Sequence, residues 1–242
     1  MIPEADYFSI FHPKGWDWYC GLFPEPEGRV LGEGSVTYTR AECCSDSAGR
    51  MAEKLPKAKL IYMVRHPLKR LPSGFAQSLH QRVAKPSFNE EVKLGRNLLP
   101  TSLYWERLNE YRAHFPDSQI HVVFLEDLIK DAESTVQGVF EFLGVDSARP
   151  LETKGAALNS REEKLADRGW WRSLHRFIVF RWIRAVLPEG VVLRLRPLFR
   201  KKLTVDTSWD PVTLEWTKEK VRPDAAALLS YCGKPANFWE GI

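Results

Sequence analysis

The chain has little cysteine, little methionine and no long apolar run. Its four cysteines make no disulfide framework. Cys43 and Cys44 are adjacent, Cys20 and Cys232 lie far apart, and no Cys/His spacing suits zinc. A reduced, cytoplasmic setting is expected from such sparse thiols. No segment approaches the ~20 apolar residues that a membrane-crossing helix needs. The nearest run, Phe177-Ile178-Val179-Phe180, is interrupted by Arg181 and Arg184. The opening Met1-Ile2-Pro3-Glu4-Ala5-Asp6 has neither the basic end nor the apolar centre of a secretion signal. Repeats and low-complexity tracts are also missing. With 44% hydrophobic and 27% charged residues over 242 positions, the composition excludes a disordered tail, a collagen and a disulfide mini-protein.

Net charge is small, +4, but unevenly placed. The stretch from Arg168 to Lys202 carries ten Lys/Arg and one acid, so +9 against −5 for all the rest. Such a block suits a phosphate, an anionic lipid or an acidic glycan, and a solvated basic face is the alternative. No nucleic-acid motif accompanies it. The arginines in Trp170 to Leu187 do not gather on one helical face, so a clean membrane-surface helix is not expected.

What is present is an α/β pattern. Leu60 to Val64 and Ile120 to Leu125 are short continuous apolar runs, as buried parallel strands are. Val30 to Tyr38 is a weaker third strand candidate, broken by Gly32 and Gly34. Tyr104, Leu108, Tyr111 and Phe115 recur at helical spacing, with Thr101 as a cap and Pro116 as a stop. Val136, Val139, Phe140 and Leu143 form a second stripe, opened by Asp131 and closed by Gly144. Asp210-Pro211 and Pro223 each read as helix starts, with Gly233 as a stop. Strands alternating with helices predict a parallel sheet flanked by helices, in a single domain over 1–242.

The sharpest local signal is Arg65-His66-Pro67-Leu68-Lys69-Arg70-Leu71-Pro72-Ser73, directly after the first strand. Ligands of open parallel sheets bind at the carboxyl ends of strands. Pro67 is placed to open a helix, with Ser73 about two turns along it. A guanidinium binds two phosphate oxygens at once, so Arg65 with a helical hydroxyl suits a phosphate. An arginine pairing with a nearby carboxylate is the plainer reading.

The segment Lys59 through Ser73 resembles the part of sulfotransferases that binds the 3′-phosphate of PAPS (3′-phosphoadenosine-5′-phosphosulfate): a strand, Arg-x-Pro-x-x-Arg, then a helical Ser. Pro3-Glu4-Ala5-Asp6-Tyr7-Phe8 is similar to the family's early Glu-x-x-(aromatic/His)-Phe. Gly32 to Tyr38 is similar to its Gly-Glu-x-Ser-x-x-Tyr. Phe115 to Ile120, Glu126-Asp127-Leu128 and Phe142 to Val145 match its downstream run, and Leu228-Leu229 to Trp239 its last helix and closing tryptophan. The likeness spans nearly the whole chain and is nearest the glycan sulfotransferases and their bacterial relatives. It implies a P-loop-nucleotide-fold-like domain that transfers a sulfuryl group from PAPS, without a metal, to a hydroxyl or amine of a glycan, lipid or small molecule. It implies Arg65 and Ser73 as 3′-phosphate contacts and Glu4 as catalytic base. A free glutamate titrates near pKa ~4.3 and is a weak base unless its site raises that value.

Three departures qualify the likeness. The family opens with a strand and a glycine-rich loop that cradles the 5′-phosphosulfate, and no such loop precedes Glu4 or occurs later. The chain is therefore expected to lack that first strand and loop, and a non-catalytic binding relative is the alternative function. Pro72 sits inside the presumed helix, where proline costs ~3 kcal/mol and kinks a regular turn. The family's nucleotide-covering loop corresponds to Asn159 to Gly169, where Arg161, Lys164 and Arg168 are candidate donor contacts without a close motif match. Tyr104 and Trp105 are candidates for an acceptor cleft, His12 for assisting proton transfer near Glu4, and Trp16, Trp18 and Tyr19 for stacking on a sugar ring, but a structural, inward-packed role is expected of each. A basic membrane-surface or nucleic-acid-binding module is a minor alternative, and 168–202 is also a candidate peripheral-membrane or acidic-glycan contact.

Overall fold

A computed structural model of the protein describes residues 4–25, 27–40, 46–78, 87–146 and 205–242, and the backbone alone of 165–167 and 200–202. Strand β1 (Leu60–Val64) runs parallel to β2 (Ile120–Phe124), in register from Leu60↔Ile120 to Val64↔Phe124. Parallel partners need a long crossover, which here carries α3 (Pro67–Ser78), α4 (Phe88–Leu94) and α5 (Tyr104–Arg112). Ahead of β1 lie α1 (Trp16–Cys20) and α2 (Ser47–Lys54). After β2 come α6 (Leu125–Lys130), α7 (Ala132–Leu143) and the long α8 (Pro211–Tyr231). A separate antiparallel pair joins β3 (Leu165–Asp167) to β4 (Arg200–Lys202), which brings the two ends of the basic stretch together. The α/β class and the parallel pairing are as the sequence predicts.

Local signals account for several helix ends. Asp131 accepts from the Ser134 amide at the start of α7, and Gly144 closes it with φ 75°. Asp210 caps α8 through the Thr213 amide, with Pro211 as first residue. Pro223, however, opens no second helix, because α8 passes through it unbroken. Likewise α3 continues past Pro72 to Ser78. Leu71 and Phe75, fully buried on either side, each contribute about 1.5–3 kcal/mol of burial, enough to hold the turn against the lost donor. The third strand candidate does not form. Between Val30 and Tyr38 there is only a 3-10 turn, Val36–Thr39, and Val30, Leu31 and Val36 are exposed, so no sheet face requires that segment. Helix α5 also differs: Thr101 lies in a preceding 3-10 turn, and the amides of Trp105 and Glu106 are capped instead by Asp224 of α8.

The main core gathers Tyr7, Phe8, Tyr19, Val64, Tyr104, Leu108, Phe115, Phe124, Leu228 and Trp239. A smaller one, around Leu71, Phe75, Phe88, Val92 and Leu98, seats α3 and α4 against α8. The aromatic residues near the N-terminus pack as expected: Tyr7 stacks on Tyr19 at 4.8 Å, and His12 and Trp16 lean on Tyr7. Among the described residues no helix is long and apolar enough to cross a membrane. The expected helix at Trp170 to Leu187 lies outside the described residues.

Candidate functional site

Strand β1 ends by placing Arg65 at its carboxyl edge, half-buried. The Arg65 amide donates to the Tyr104 hydroxyl at 3.4 Å, and its Nη2 donates to the Lys69 carbonyl at 2.6 Å. The next residue is clamped on two sides. The His66 amide donates to Glu126 Oε1 at 2.8 Å, and its ring Nε2 to the Glu240 carbonyl at 2.9 Å. Chain segments far apart in sequence thus fix the backbone that presents Arg65. Ser73 lies on α3, half-buried, and its hydroxyl has no hydrogen bond among the described residues. Arg65, at the end of β1, and Ser73, in the second turn of α3, therefore both keep hydrogen-bond donors free among the described residues.

Glu4 is exposed, and no hydrogen bond or ion pair ties it to Arg65 or Ser73. Its neighbour Asp6 is held tightly. The Asp6 amide donates to Ser35 Oγ at 2.9 Å, and its carboxylate accepts from Thr37 Oγ1 at 2.5 Å. Asp6 has φ 47°, the left-handed region that costs most residues roughly 1–2 kcal/mol and that aspartate tolerates better than others. Those two hydrogen bonds hold it there and aim the segment leading back to Glu4.

A carboxylate that sequence reasoning did not single out sits beside this segment. Glu33 Oε1 accepts from the Tyr38 hydroxyl at 2.5 Å and the Tyr19 hydroxyl at 3.3 Å, and Oε2 from Ser35 Oγ at 2.6 Å. Burial, with Glu33 alongside, pushes both tyrosine pKa values well above the ordinary phenol range, so both hydroxyls stay protonated donors. The signal was available: Glu33, Ser35 and Tyr38 are the named positions of the Gly32 to Tyr38 motif. Their role needed the fold, since Ser35 links Glu33 to the Asp6 backbone.

Between this cluster and β1 runs a groove of about 1390 Å³, bordered by Leu60 to Met63, Glu33, Tyr38, Arg70 and Tyr104. Ile61 and Met63 are 44% and 56% exposed along it, and β1 pairs only with β2 among the described residues. Arg161, Lys164 and Arg168, the other expected donor contacts, lie outside the described residues. Among the described residues no His/Cys/Asp/Glu group is arranged to hold a metal.

Comparison with known proteins agrees with this layout. Residues 12–149 match the model of a family described as "Sulfotransferase family". Heparan sulfate glucosamine 3-O-sulfotransferase 3A1 of Mus musculus is 30% identical over 152 residues, covering 59% of this chain and 38% of that protein. Bifunctional heparan sulfate N-deacetylase/N-sulfotransferase 4 of Mus musculus is 29% identical over 161 residues, covering 59% of this chain and 18% of its own length. The chain thus corresponds to less than half of the curated relatives it matches. In structure it is similar to a sulfotransferase from Alicyclobacillus acidocaldarius, with a TM-score of 0.61 and 19% identity, over 93% of this chain and 74% of that one. The matched region contains the β1–Arg65–α3 junction and the Glu33 cluster, and on that ground the chain belongs to the sulfotransferase family.

Proposed function

We propose that the protein takes part in sulfuryl transfer from PAPS to a hydroxyl or amine of a glycan, lipid or small-molecule acceptor, a glycan being favoured by the names of its relatives. The observation that carries this reading is the strand–helix unit: a guanidinium anchored by one carbonyl at the carboxyl end of a parallel strand, followed on the next helix by a serine hydroxyl with no partner among the described residues. Those donors fit a phosphate. Bound PAPS supplies the sulfuryl group. Arg65 and Ser73 hold the 3′-phosphate, with Arg161, Lys164 and Arg168 as further candidate contacts. Glu4 receives the proton of the acceptor hydroxyl or amine, in a position set by the strained Asp6 turn.

The side of β1 that pairs with no strand among the described residues is part of the same reading. An open strand edge beside an apolar groove accepts another strand readily. A strand and phosphosulfate loop added at that edge would complete the site. The basic stretch 168–202 is read as an acidic-acceptor or membrane contact, and the setting as cytoplasmic.

Calorimetry with 3′-phosphoadenosine 5′-phosphate tests the nucleotide site. Binding by the wild type that Arg65→Ala abolishes supports it, and no binding by the wild type sinks it. A second reading, nucleotide binding without turnover, is favoured by Glu4, which is exposed and has no hydrogen bond or ion pair among the described residues. It predicts binding without sulfate transfer across a glycan, lipid and phenol panel.

A further inference from the structure

One end of the groove holds polar groups that Arg65 and Ser73 do not use. Arg70, Tyr62 and Tyr104 line it. The Tyr62 hydroxyl is buried and has no hydrogen-bond partner among the described residues. The Tyr62 ring meets Tyr104 edge-on, with centroids 6.0 Å apart, so both phenols stand on one wall. Tyr104 accepts from the Arg65 amide, and its own proton has no acceptor among the described residues. Arg70 reaches only neutral groups, Ser102 Oγ at 3.0 Å and the Leu98 carbonyl at 3.5 Å, and no described carboxylate pairs with it. Burial pushes the Arg70 pKa down, and the nearby charges of Arg65 and Arg40 act in the same direction against the two tyrosines. An arginine nevertheless stays charged, and a buried charge without a counter-charge is costly.

We propose that this end of the groove is an oxyanion site, in which a sulfate or phosphate group sits between the Arg70 guanidinium and the Tyr62 hydroxyl. The chemistry selects an anion. Arg70, Tyr62 and Tyr104 each offer a donor, Arg70 has no bonded carboxylate among the described residues, and a water molecule would satisfy Tyr62 but leave Arg70 uncompensated. The site uses other groups than the Arg65–Ser73 reading, since neither of those two residues lines the groove.

Thermal unfolding of the full chain, titrated with sodium sulfate at constant ionic strength, tests it. The wild type should show a Tm that rises and saturates. Tyr62→Phe should raise the half-saturating sulfate concentration by about tenfold or more, the usual worth of a charge-assisted hydrogen bond. Its Tm in chloride should stay at or above that of the wild type, since the hydroxyl has no internal partner to lose. Arg70→Gln should remove the saturable rise, and Arg65→Ala should keep it. Should Arg70→Gln fail to fold, Tyr62→Phe alone decides. A linear rise equal in all variants is the general salting effect of sulfate and overturns the proposal. A rise lost only in Arg65→Ala, or no rise at all, overturns it as well. Repeating the titration with saturating 3′-phosphoadenosine 5′-phosphate separates the sources of the oxyanion. Displaced sulfate means that the nucleotide's own phosphate fills the site, and additive protection means a free ion. Both results support the site, because both require Tyr62 and Arg70.

Discussion

Asp224 offers a test of how the last helix supports the site. It sits in α8, half-buried, and its carboxylate accepts from the Trp105 amide at 3.1 Å and the Glu106 amide at 2.9 Å. These are the first-turn amides of α5, whose own N-cap, Leu103, has no capping side chain. Asp224→Ala leaves both amides without a protein acceptor. Losing a cap costs ~1 kcal/mol and up to about 2 where the geometry is good. The Glu106 end is open to water, so we expect roughly 1–2 kcal/mol. For a chain of this size that is a fall in Tm of about 2–8 °C. A pH series sharpens the test. Burial raises the Asp224 pKa above the ordinary carboxylate value of 3.8, against the amides that lower it. The folded state therefore favours the protonated acid. That contribution is full below the unfolded value and is lost as pH rises through the folded one. The gap between wild type and Asp224→Ala should accordingly widen as the pH falls through that window. Because α5 starts at Tyr104, which receives the Arg65 amide, nucleotide affinity should fall slightly alongside. A Tm change under 1 °C, or a gap that narrows in acid, would refute the reasoning.

Other expectations are simpler. Ser73→Ala should weaken 3′-phosphoadenosine 5′-phosphate binding in calorimetry with little change in Tm, since its hydroxyl bonds nothing in the described fold. Gly144→Ala should cost about 1 kcal/mol in urea unfolding, because φ 75° disfavours any side chain although the nearest atom, Lys59 Nζ, is 3.7 Å from the new Cβ. Phe115→Ala, at a residue 1% exposed, should cost about 3–5 kcal/mol by the same measurement. Burial pushes the Cys232 thiol up to about 11, so peptide mapping after iodoacetamide treatment at neutral pH should find exposed Cys20 alkylated well before Cys232.

Much of the scaffold was legible because its signals are local. The runs Leu60 to Val64 and Ile120 to Phe124 became the parallel pair. The caps at Asp131 and Asp210 hold their own helices, through amides only three residues on. Where local rules failed, burial overrode them. Pro72 and Pro223 each sit in a continuous helix, beside Leu71 and Phe75 in one case and Val221 and Ala225 in the other, all buried. The Val30 to Tyr38 candidate failed for the opposite reason, having exposed apolar residues and no partner strand among the described residues.

The functional residues divide along the same line. By itself the sequence determined the strand, the arginine at its end and the helix carrying Ser73, since all three depend on contiguous residues. The tertiary structure alone decided that Glu33 is bound by three hydroxyls, that His66 is clamped by Glu126 and Glu240, and that Arg70 and Tyr62 line one groove, with no carboxylate bonded to Arg70 among the described residues. Such contacts join residues up to 174 positions apart, as His66 and Glu240 are. No local periodicity encodes them, because they arise only when packing brings distant polar groups out of water and obliges each to find a partner.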